Sequence, residues 1–312
     1  MKLSETVNQY VIHKQSMGMR FCTEKRTLKS FCKAMGDIAI TEVEADRVLA
    51  YIAGTGPVTW FWHRKHTVLV GLYRFAIARR YVTTSPLPKV LPKPPQTFVP
   101  YIYSQEELHR LLEATALFRH PRAKIQAYTF RTLLLLLYGA GLRISEALAL
   151  TLSDVNLSAG VIQICESKFY KTRLVPLGPD LINVLTTYAT QRKKEHAVQP
   201  DAPFFISRVG SPIKRGTAEG TFSRLRRRTG VQRHDGGRFQ PRLHDLRHSF
   251  ATHRLVSWYR QGADVQRLLP QLATFLGHVH IAATQRYLTA TPELLSEASK
   301  RFERYAWDEV YE

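Results

Sequence analysis

The chain has 312 residues, of which 44% are hydrophobic, a proportion typical of globular proteins with at least one sizeable core. Lys and Arg outnumber Asp and Glu by 45 to 25, which gives a formal net charge of +20. This excess favours a polyanionic partner, either nucleic acid or an anionic membrane surface. The basic residues are scattered rather than gathered on an amphipathic helix with bulky anchors, which argues against the membrane.

Cysteine content and apolar runs indicate the compartment. Cys22, Cys32 and Cys165 are too widely spaced for a disulfide framework or a metal cluster. The N-terminus lacks the apolar segment of a secretory signal, and the longest apolar run, 133–138, is too short to span a bilayer. We therefore expect a cytoplasmic protein with no membrane association.

The first part of the chain, residues 1–84, has a helical pattern. Thr41 and Glu44 have the spacing of a capping box before apolar residues at helical intervals. Residues 57–82 are aromatic and amphipathic, and their basic side chains form either a solvated helix face or a DNA-facing one. Residues 1–100 hold 15 Lys or Arg against 6 Asp or Glu, so both halves of the chain are basic. That distribution suits a clamp around one polyanion.

Six prolines within residues 85–100 predict a stiff extended linker, because proline blocks helix and removes a donor. Ser104 and Glu107 form a second capping-box pattern, so a new domain begins near residue 101 and continues to 312. We expect this domain to be mostly helical with one small antiparallel sheet. The predicted strands are 161–165 and 172–177, around a basic turn at 168–171. The predicted helices are 127–138, one from Ile144, 180–195, 217–228, 245–258, 263–276, 281–289 and 292–306.

Side chains suited to phosphate chemistry recur through this second domain. Arg143 lies at a helix start, where free amide donors favour an anion, although it is also placed to pair with Glu146 on its own helix. His244 and Arg247 are three residues apart and share a helix face. His248 completes an i,i+4 histidine pair, but a zinc protease motif needs Glu at 245. We interpret His248 and His253 as structural.

Two further residues complete the set. His278 follows Gly277 at a predicted helix end, and Tyr287 comes nine residues later. A tyrosine on a helix usually serves packing, yet its hydroxyl can also attack phosphorus. The order of these residues therefore carries more information than any one of them.

Four segments together resemble the tyrosine recombinases, the family of phage integrases and chromosome-dimer resolvases. They are 141–146, 167–177, 244–253 and 276–278 with Tyr287 after it. The resemblance covers residues 104–306 well, and residues 1–84 only in kind. It implies a mainly α fold: a helical core-binding (SAM-like) domain at 1–84, a linker at 85–100, and a catalytic domain at 101–312. The longer segment 257–270 resembles recombinases of transposons and integrative elements.

The resemblance also implies a mechanism. Tyr287 would attack a DNA phosphodiester to form a 3′-phosphotyrosyl bond, with His244 accepting its proton. Arg143, Arg247 and His278 would hold the phosphate oxygens, and Lys168 rather than Lys171 would protonate the leaving oxygen. Neither metal nor another cofactor is needed. The partners would be double-stranded DNA and a homo-tetramer on paired sites, alone or with related recombinases, for integration or excision of a mobile element.

Two alternatives stay open. A type IB topoisomerase uses the same chemistry but rejoins the original ends, and a DNA-binding regulator would keep the fold without the chemistry. Separately, Leu294, Leu295 and Ala298 begin an apolar stripe that continues through Phe302 and Tyr305. We expect this stripe to dock on a neighbouring protomer, the alternative being packing on its own domain.

Overall fold

The structure, a computed structural model, describes residues 1–95, 99–117, 123–165, 172–196, 199–237, 239–289 and 292–308. The chain divides into two compact units, Met1–Phe98 and Val99–Glu312. Within the described ranges, no helix is long and apolar enough to cross a membrane.

The N-terminal unit is helical and has its own core. Its helices turn apolar faces inward, and Leu28, Phe31, Leu69 and Leu72 are fully buried between them. Burial of these apolar side chains stabilises the unit through the hydrophobic effect. The elements are α1 (Leu3–Ser16), α2 (Cys22–Met35), a 3-10 turn (Ile40–Glu42), α3 (Ala45–Ala53) and α4 (Trp60–Ala78).

The start of α3 differs from the sequence prediction. Glu44 immediately precedes the first helical residue, whereas Thr41 lies inside the 3-10 turn. In that turn the backbone N–H of Ala39 donates to the carboxylate of Glu42 at 3.0 Å. The capping box predicted at Thr41 is therefore wrong, because the chain forms a separate turn there before the helix begins.

The C-terminal unit is mostly helical and contains one three-stranded antiparallel sheet of order β1-β2-β3. The predicted fold class, mainly α with a small antiparallel sheet, is confirmed. The elements are α5 (Gln105–Leu117), α6 (Ala127–Gly139), α7 (Ile144–Ala149), β1 (Val155–Asn156), β2 (Val161–Ile164), β3 (Arg173–Pro176), α8 (Pro179–Glu195), α9 (Arg215–Arg228), α10 (Asp245–Arg260), α11 (Val265–Leu276), α12 (Ala282–Gln285), a 3-10 helix (Arg286–Thr289) and α13 (Pro292–Asp308).

The capping box at the start of α5 is confirmed. The Ser104 hydroxyl accepts a hydrogen bond from the Glu107 backbone N–H at 3.1 Å, and the Glu107 carboxylate accepts one from the Ser104 N–H at 3.0 Å. The two residues thus satisfy donors that every helix start leaves open.

The predicted hairpin is present as β2 and β3, which pair with Ile164 opposite Arg173. Its turn, residues 166–171, lies outside the described residues, and so does the predicted catalytic Lys168. Strand β1 was not predicted, because two residues are too few to give an alternating pattern. Ile162, Ile164 and Val175 anchor the sheet to the main core of this unit.

The described part of α13 packs against α10 of the same chain. Leu294 is fully buried in a second apolar cluster that also contains Leu255, Leu269 and Tyr287. Leu294, the first residue of the predicted stripe, thus packs on its own domain, whereas Leu295 is exposed. Docking in a DNA-bound assembly stays a prediction.

Candidate active site

Five of the six predicted site residues lie in the described part of the C-terminal unit, at or near the ends of its helices. Helix ends leave backbone donors or acceptors without partners, so they are suited to holding polar groups. Arg143 caps the start of α7, His244 caps the start of α10, Arg247 lies in the first turn of α10, His278 follows the end of α11, and Tyr287 lies on the 3-10 helix Arg286–Thr289.

The C-terminal end of α11 organises the arginines. Its last three carbonyl oxygens, those of Phe275, Leu276 and Gly277, each accept a hydrogen bond from a different arginine. We call these three residues the carbonyl turn. Gly277 has a φ of +67°, a left-handed conformation that ends the helix and turns the chain toward His278. The negative end of the helix dipole favours the cations gathered here.

Arg247 is the most enclosed member of this group, with 1% of the residue exposed. Its Nη1 donates to the Gly141 carbonyl at 2.7 Å, and its Nη2 donates to the Leu276 carbonyl at 2.5 Å. Burial, followed by the positive charge of Arg143, lowers the pKa of Arg247 to about 10. The guanidinium therefore stays charged at neutral pH and is held rigidly by backbone oxygens.

Glu146 holds Arg143 in place. The two residues pair through Arg143 Nη1 and the Glu146 carboxylate, and Arg143 Nη2 reaches the Gly277 carbonyl at 3.0 Å. The pairing considered from the sequence is therefore present, and it orients Arg143 toward the carbonyl turn. Burial alone would raise the pKa of Glu146, but hydrogen bonds and charge from Arg173 and Arg143 lower it to about 2. Glu146 is thus ionised at neutral pH.

Tyr287 is buried, with 2% of the residue exposed. Its Oη lies 3.1 Å from Nδ1 of His248. The His278 ring stacks on the tyrosine ring, with centroids 6.1 Å apart. Burial raises the pKa of Tyr287, while the positive charge of Arg247 opposes that shift. The phenol is therefore protonated at neutral pH and needs a proton acceptor to become a nucleophile.

Three neutral imidazoles surround this hydroxyl and the arginines. Burial is the largest cause in each case, followed by Arg247 for His244 and His278, and by His244 and then Arg247 for His248. It lowers the pKa of His244 to about 4, of His248 to about 3 and of His278 to about 4. Neutral imidazole can accept a proton, so each ring has the form that a general base requires.

The interpretation of His248 as structural does not match its position. It is the histidine in hydrogen-bond contact with Tyr287, and its ring centroid lies 4.8 Å from that of His244. The i,i+4 spacing from His244 was the signal for this, since residues four apart share a helix face. His253 instead contacts the hydroxyl of Tyr138 at 2.9 Å.

Arg173 is a second residue that the sequence reasoning missed. It lies on β3 and shares the inward face of the strand with the buried Val175. An arginine at an inward position was the available signal, because buried cations require partners. Within the described residues, no three His, Cys, Asp or Glu side chains are grouped so as to hold a metal ion.

Comparison with known proteins identifies the family. Residues 103–293 match the model of the phage integrase family. The chain belongs to the phage integrase family. This tyrosine recombinase is 36% identical to a Sinorhizobium fredii protein with the provisional name integrase/recombinase y4rB, over 98% of each chain. It is 31% identical to the tyrosine recombinase XerD of Staphylococcus aureus, over 74% of this chain and 72% of the relative.

A solved structure supports the fold of this tyrosine recombinase. The Tn1549 transposon integrase in complex with transposon right-end DNA aligns with a TM-score of 0.70, covering 98% of this chain and 100% of that one. The two sequences are 17% identical, so this likeness concerns the fold alone.

Proposed function

We propose that the chain is a site-specific DNA recombinase that cuts and rejoins duplex DNA through a 3′-phosphotyrosyl intermediate. The observation that carries the proposal is the meeting of Tyr287 with Arg247 and His278 beside the carbonyl turn. A phosphodiester placed there would face a hydroxyl nucleophile and several cationic donors. We call Arg143, Arg247 and His278 the phosphate cradle.

In the covalent step, the bond that forms replaces the bond that breaks, and no cofactor is required. Tyr287 Oη attacks phosphorus, its proton passes to a neutral histidine, and the bond from phosphorus to the 5′-oxygen breaks. Lys168 protonates that departing oxygen as it becomes a 5′-hydroxyl, a role assigned by the resemblance of its hairpin. Arg143 and Arg247 hold the non-bridging oxygens, where negative charge develops. A 5′-hydroxyl from another duplex reverses the step and exchanges strands.

The proton acceptor in this step is either His244, as the family resemblance implies, or His248, which contacts Tyr287 Oη. The two rings are adjacent, so His248 can receive the proton or hold the hydroxyl for His244. In both cases its Nδ1 is the atom that orients the nucleophile.

Substitutions that imitate one ring nitrogen at a time test this role. The amide of His248→Asn lies near the position of Nδ1, whereas that of His248→Gln lies near Nε2. With His244 as the proton acceptor, we expect the Asn variant to keep most of the rate of adduct formation and the Gln variant to lose roughly 10²-fold, because a displaced nucleophile reacts slowly. The rate is measured at saturating DNA. Equal large losses in both variants would make His248 the proton acceptor, because an amide cannot take up the proton, whereas normal rates in both would contradict a role for Nδ1.

The DNA partner is inferred from charge and from the family. The N-terminal unit, with the segment 1–84 predicted to be its core-binding domain, would grip the duplex together with the catalytic domain at 101–312. On paired sites we propose a homo-tetramer, alone or with related recombinases. The name integrase/recombinase of the Sinorhizobium fredii relative favours a mobile-element role, and we propose that the protein acts in the cytoplasm.

A fragment of residues 1–97 should bind duplex DNA weakly by itself. Residues 1–100 carry 15 Lys or Arg against 6 Asp or Glu, and phosphate contacts release counterions. The unit has its own core, so the fragment is expected to fold. We expect affinity to fall steeply with salt in a fluorescence-anisotropy titration. Affinity that is independent of salt would refute this role of the unit.

Supercoiled plasmid separates the recombinase from its alternatives. A recombinase should give site-dependent junctions or exchange, and a covalent adduct with plasmids that carry its site. Relaxation of any plasmid, without site dependence, would indicate a type IB topoisomerase. Binding without an adduct would indicate a regulator.

A further inference from the structure

Arg173 connects two parts of the candidate site through one side chain. Its Nε donates to the Phe275 carbonyl at 3.0 Å, while Nη1 and Nη2 donate to the Glu146 carboxylate at 3.1 and 2.8 Å. The side chain is 10% exposed. A planar guanidinium can bridge two partners in fixed directions, which an ammonium cannot do. Arg173 therefore ties α7 to the end of α11.

Glu146 accepts hydrogen bonds from two arginines, Arg143 and Arg173, and its Oε2 lies 3.9 Å from Nη1 of a third, Arg247. Its Oε1 accepts from Nη1 of Arg143 and Nη1 of Arg173, and its Oε2 accepts from the Arg143 backbone N–H and Nη2 of Arg173. A carboxylate has about four acceptor sites, so this one is fully used. Without Arg173, half of a buried carboxylate would lack partners and would turn to find new ones. Arg143 would then lose its fixed direction.

The carbonyl turn depends on the same side chain. Arg173, Arg247 and Arg143 each donate to one of three successive carbonyls, so removing Arg173 leaves the partly buried Phe275 carbonyl without this donor, three residues before His278. The packing is tight, because a Cβ added at Gly277 would stand 2.7 Å from Nη1 of Arg173. The guanidinium therefore has little room to shift.

We infer that Arg173 is a positioning residue for the phosphate cradle: it aligns Arg143 through Glu146, and His278 through the carbonyl turn, with its own donors directed at protein. The inference rests on the proposed function and deepens it. It gives a supporting role to an arginine of the segment 167–177 for which the resemblance implied none.

The test compares Arg173→Met and Arg173→Lys with wild type and with Arg131→Met. Arg131 is exposed on α6 in the same unit, so it controls for the loss of one arginine charge. The DNA duplex carries a binding site that is selected from a pool of random sequences by its affinity for the wild-type protein. Three forms are used: the normal phosphodiester, one whose 5′-bridging oxygen is sulfur, and one whose non-bridging oxygen is replaced by methyl. The methyl form lacks the charge that the cradle neutralises.

On normal DNA, we expect both Arg173 variants to form the adduct roughly 10²-fold more slowly than wild type at saturating DNA, because small displacements at a reacting centre are costly. Arg131→Met should react like wild type. On the methyl substrate the rate difference from wild type should be smaller, because there is less negative charge for the phosphate cradle to neutralise. On the sulfur substrate the difference should persist, because sulfur changes only the departure of the leaving group.

Other outcomes overturn the inference. Normal rates in both Arg173 variants would show that the bridge is dispensable. Recovery on the sulfur substrate alone would place Arg173 on the leaving-group side. DNA affinity and thermal unfolding of Arg173→Lys identify folding damage: a variant that neither binds nor melts cooperatively would make Arg173 a stability residue. Failure of wild type itself to form an adduct would refute the proposed function, and the inference with it.

Discussion

Replacing Tyr287 with phenylalanine is expected to abolish the covalent protein–DNA adduct while leaving DNA affinity within about threefold of wild type, because phosphate affinity comes mainly from basic groups. The change removes one hydroxyl from a buried ring and leaves its packing with Leu294 and the rest of the second cluster in place. The adduct is measured by denaturing electrophoresis, and affinity by anisotropy.

A matched control is Tyr259→Phe, since Tyr259 packs against the same cluster. That variant should form the adduct normally. An adduct that survives in Tyr287→Phe would remove Tyr287 as nucleophile. Loss in both variants would point instead to damage in the shared cluster.

Replacing Lys168 with alanine should have the second-largest effect. On normal DNA we expect cleavage to fall by roughly 10²–10⁴-fold, the usual contribution of a general acid. On DNA whose 5′-bridging oxygen is sulfur, cleavage should return to nearly the wild-type rate, because sulfur leaves without protonation. The measurement is the initial rate of adduct formation on the two substrates.

Lys171→Ala is the matched control, because both lysines belong to the basic turn predicted at residues 168–171. It should cleave the two substrates at similar rates. If Lys171→Ala is the variant rescued by sulfur and Lys168→Ala is not, the assignment of the general acid is reversed.

Local patterns predicted most of the elements of this fold. The Ser104 and Glu107 capping box, the hairpin and the helix ends at glycine all depend on neighbours within a few residues, which the sequence displays directly. Thr41 shows the limit of this reasoning. Thr41 and Glu44 have the same spacing, but the chain forms a short 3-10 turn there instead of a helix start. In that turn the carboxylate of Glu42 accepts the hydrogen bond from the Ala39 backbone N–H.

The residues of the candidate site were predictable because motifs mark them, whereas the contacts that support them were not. Arg143, Arg247 and Tyr287 stand in recognisable segments. The carbonyl turn uses backbone oxygens, which any sequence supplies, so no residue type marks it. Arg173 meets Glu146 across 27 positions of chain, and that meeting depends on the packing of a strand against two helices.

The burial of Tyr287 has a consequence for fidelity. Only 2% of Tyr287 is exposed, so under the proposed function its hydroxyl must be uncovered before a phosphate can reach it. Uncovering it requires free energy, and under the proposed function only contacts with DNA can supply that energy. A duplex held loosely would leave the oxygen covered. Under the proposed function, cleavage thereby requires tight DNA binding. Chromosomal DNA that the protein binds only weakly would not be nicked.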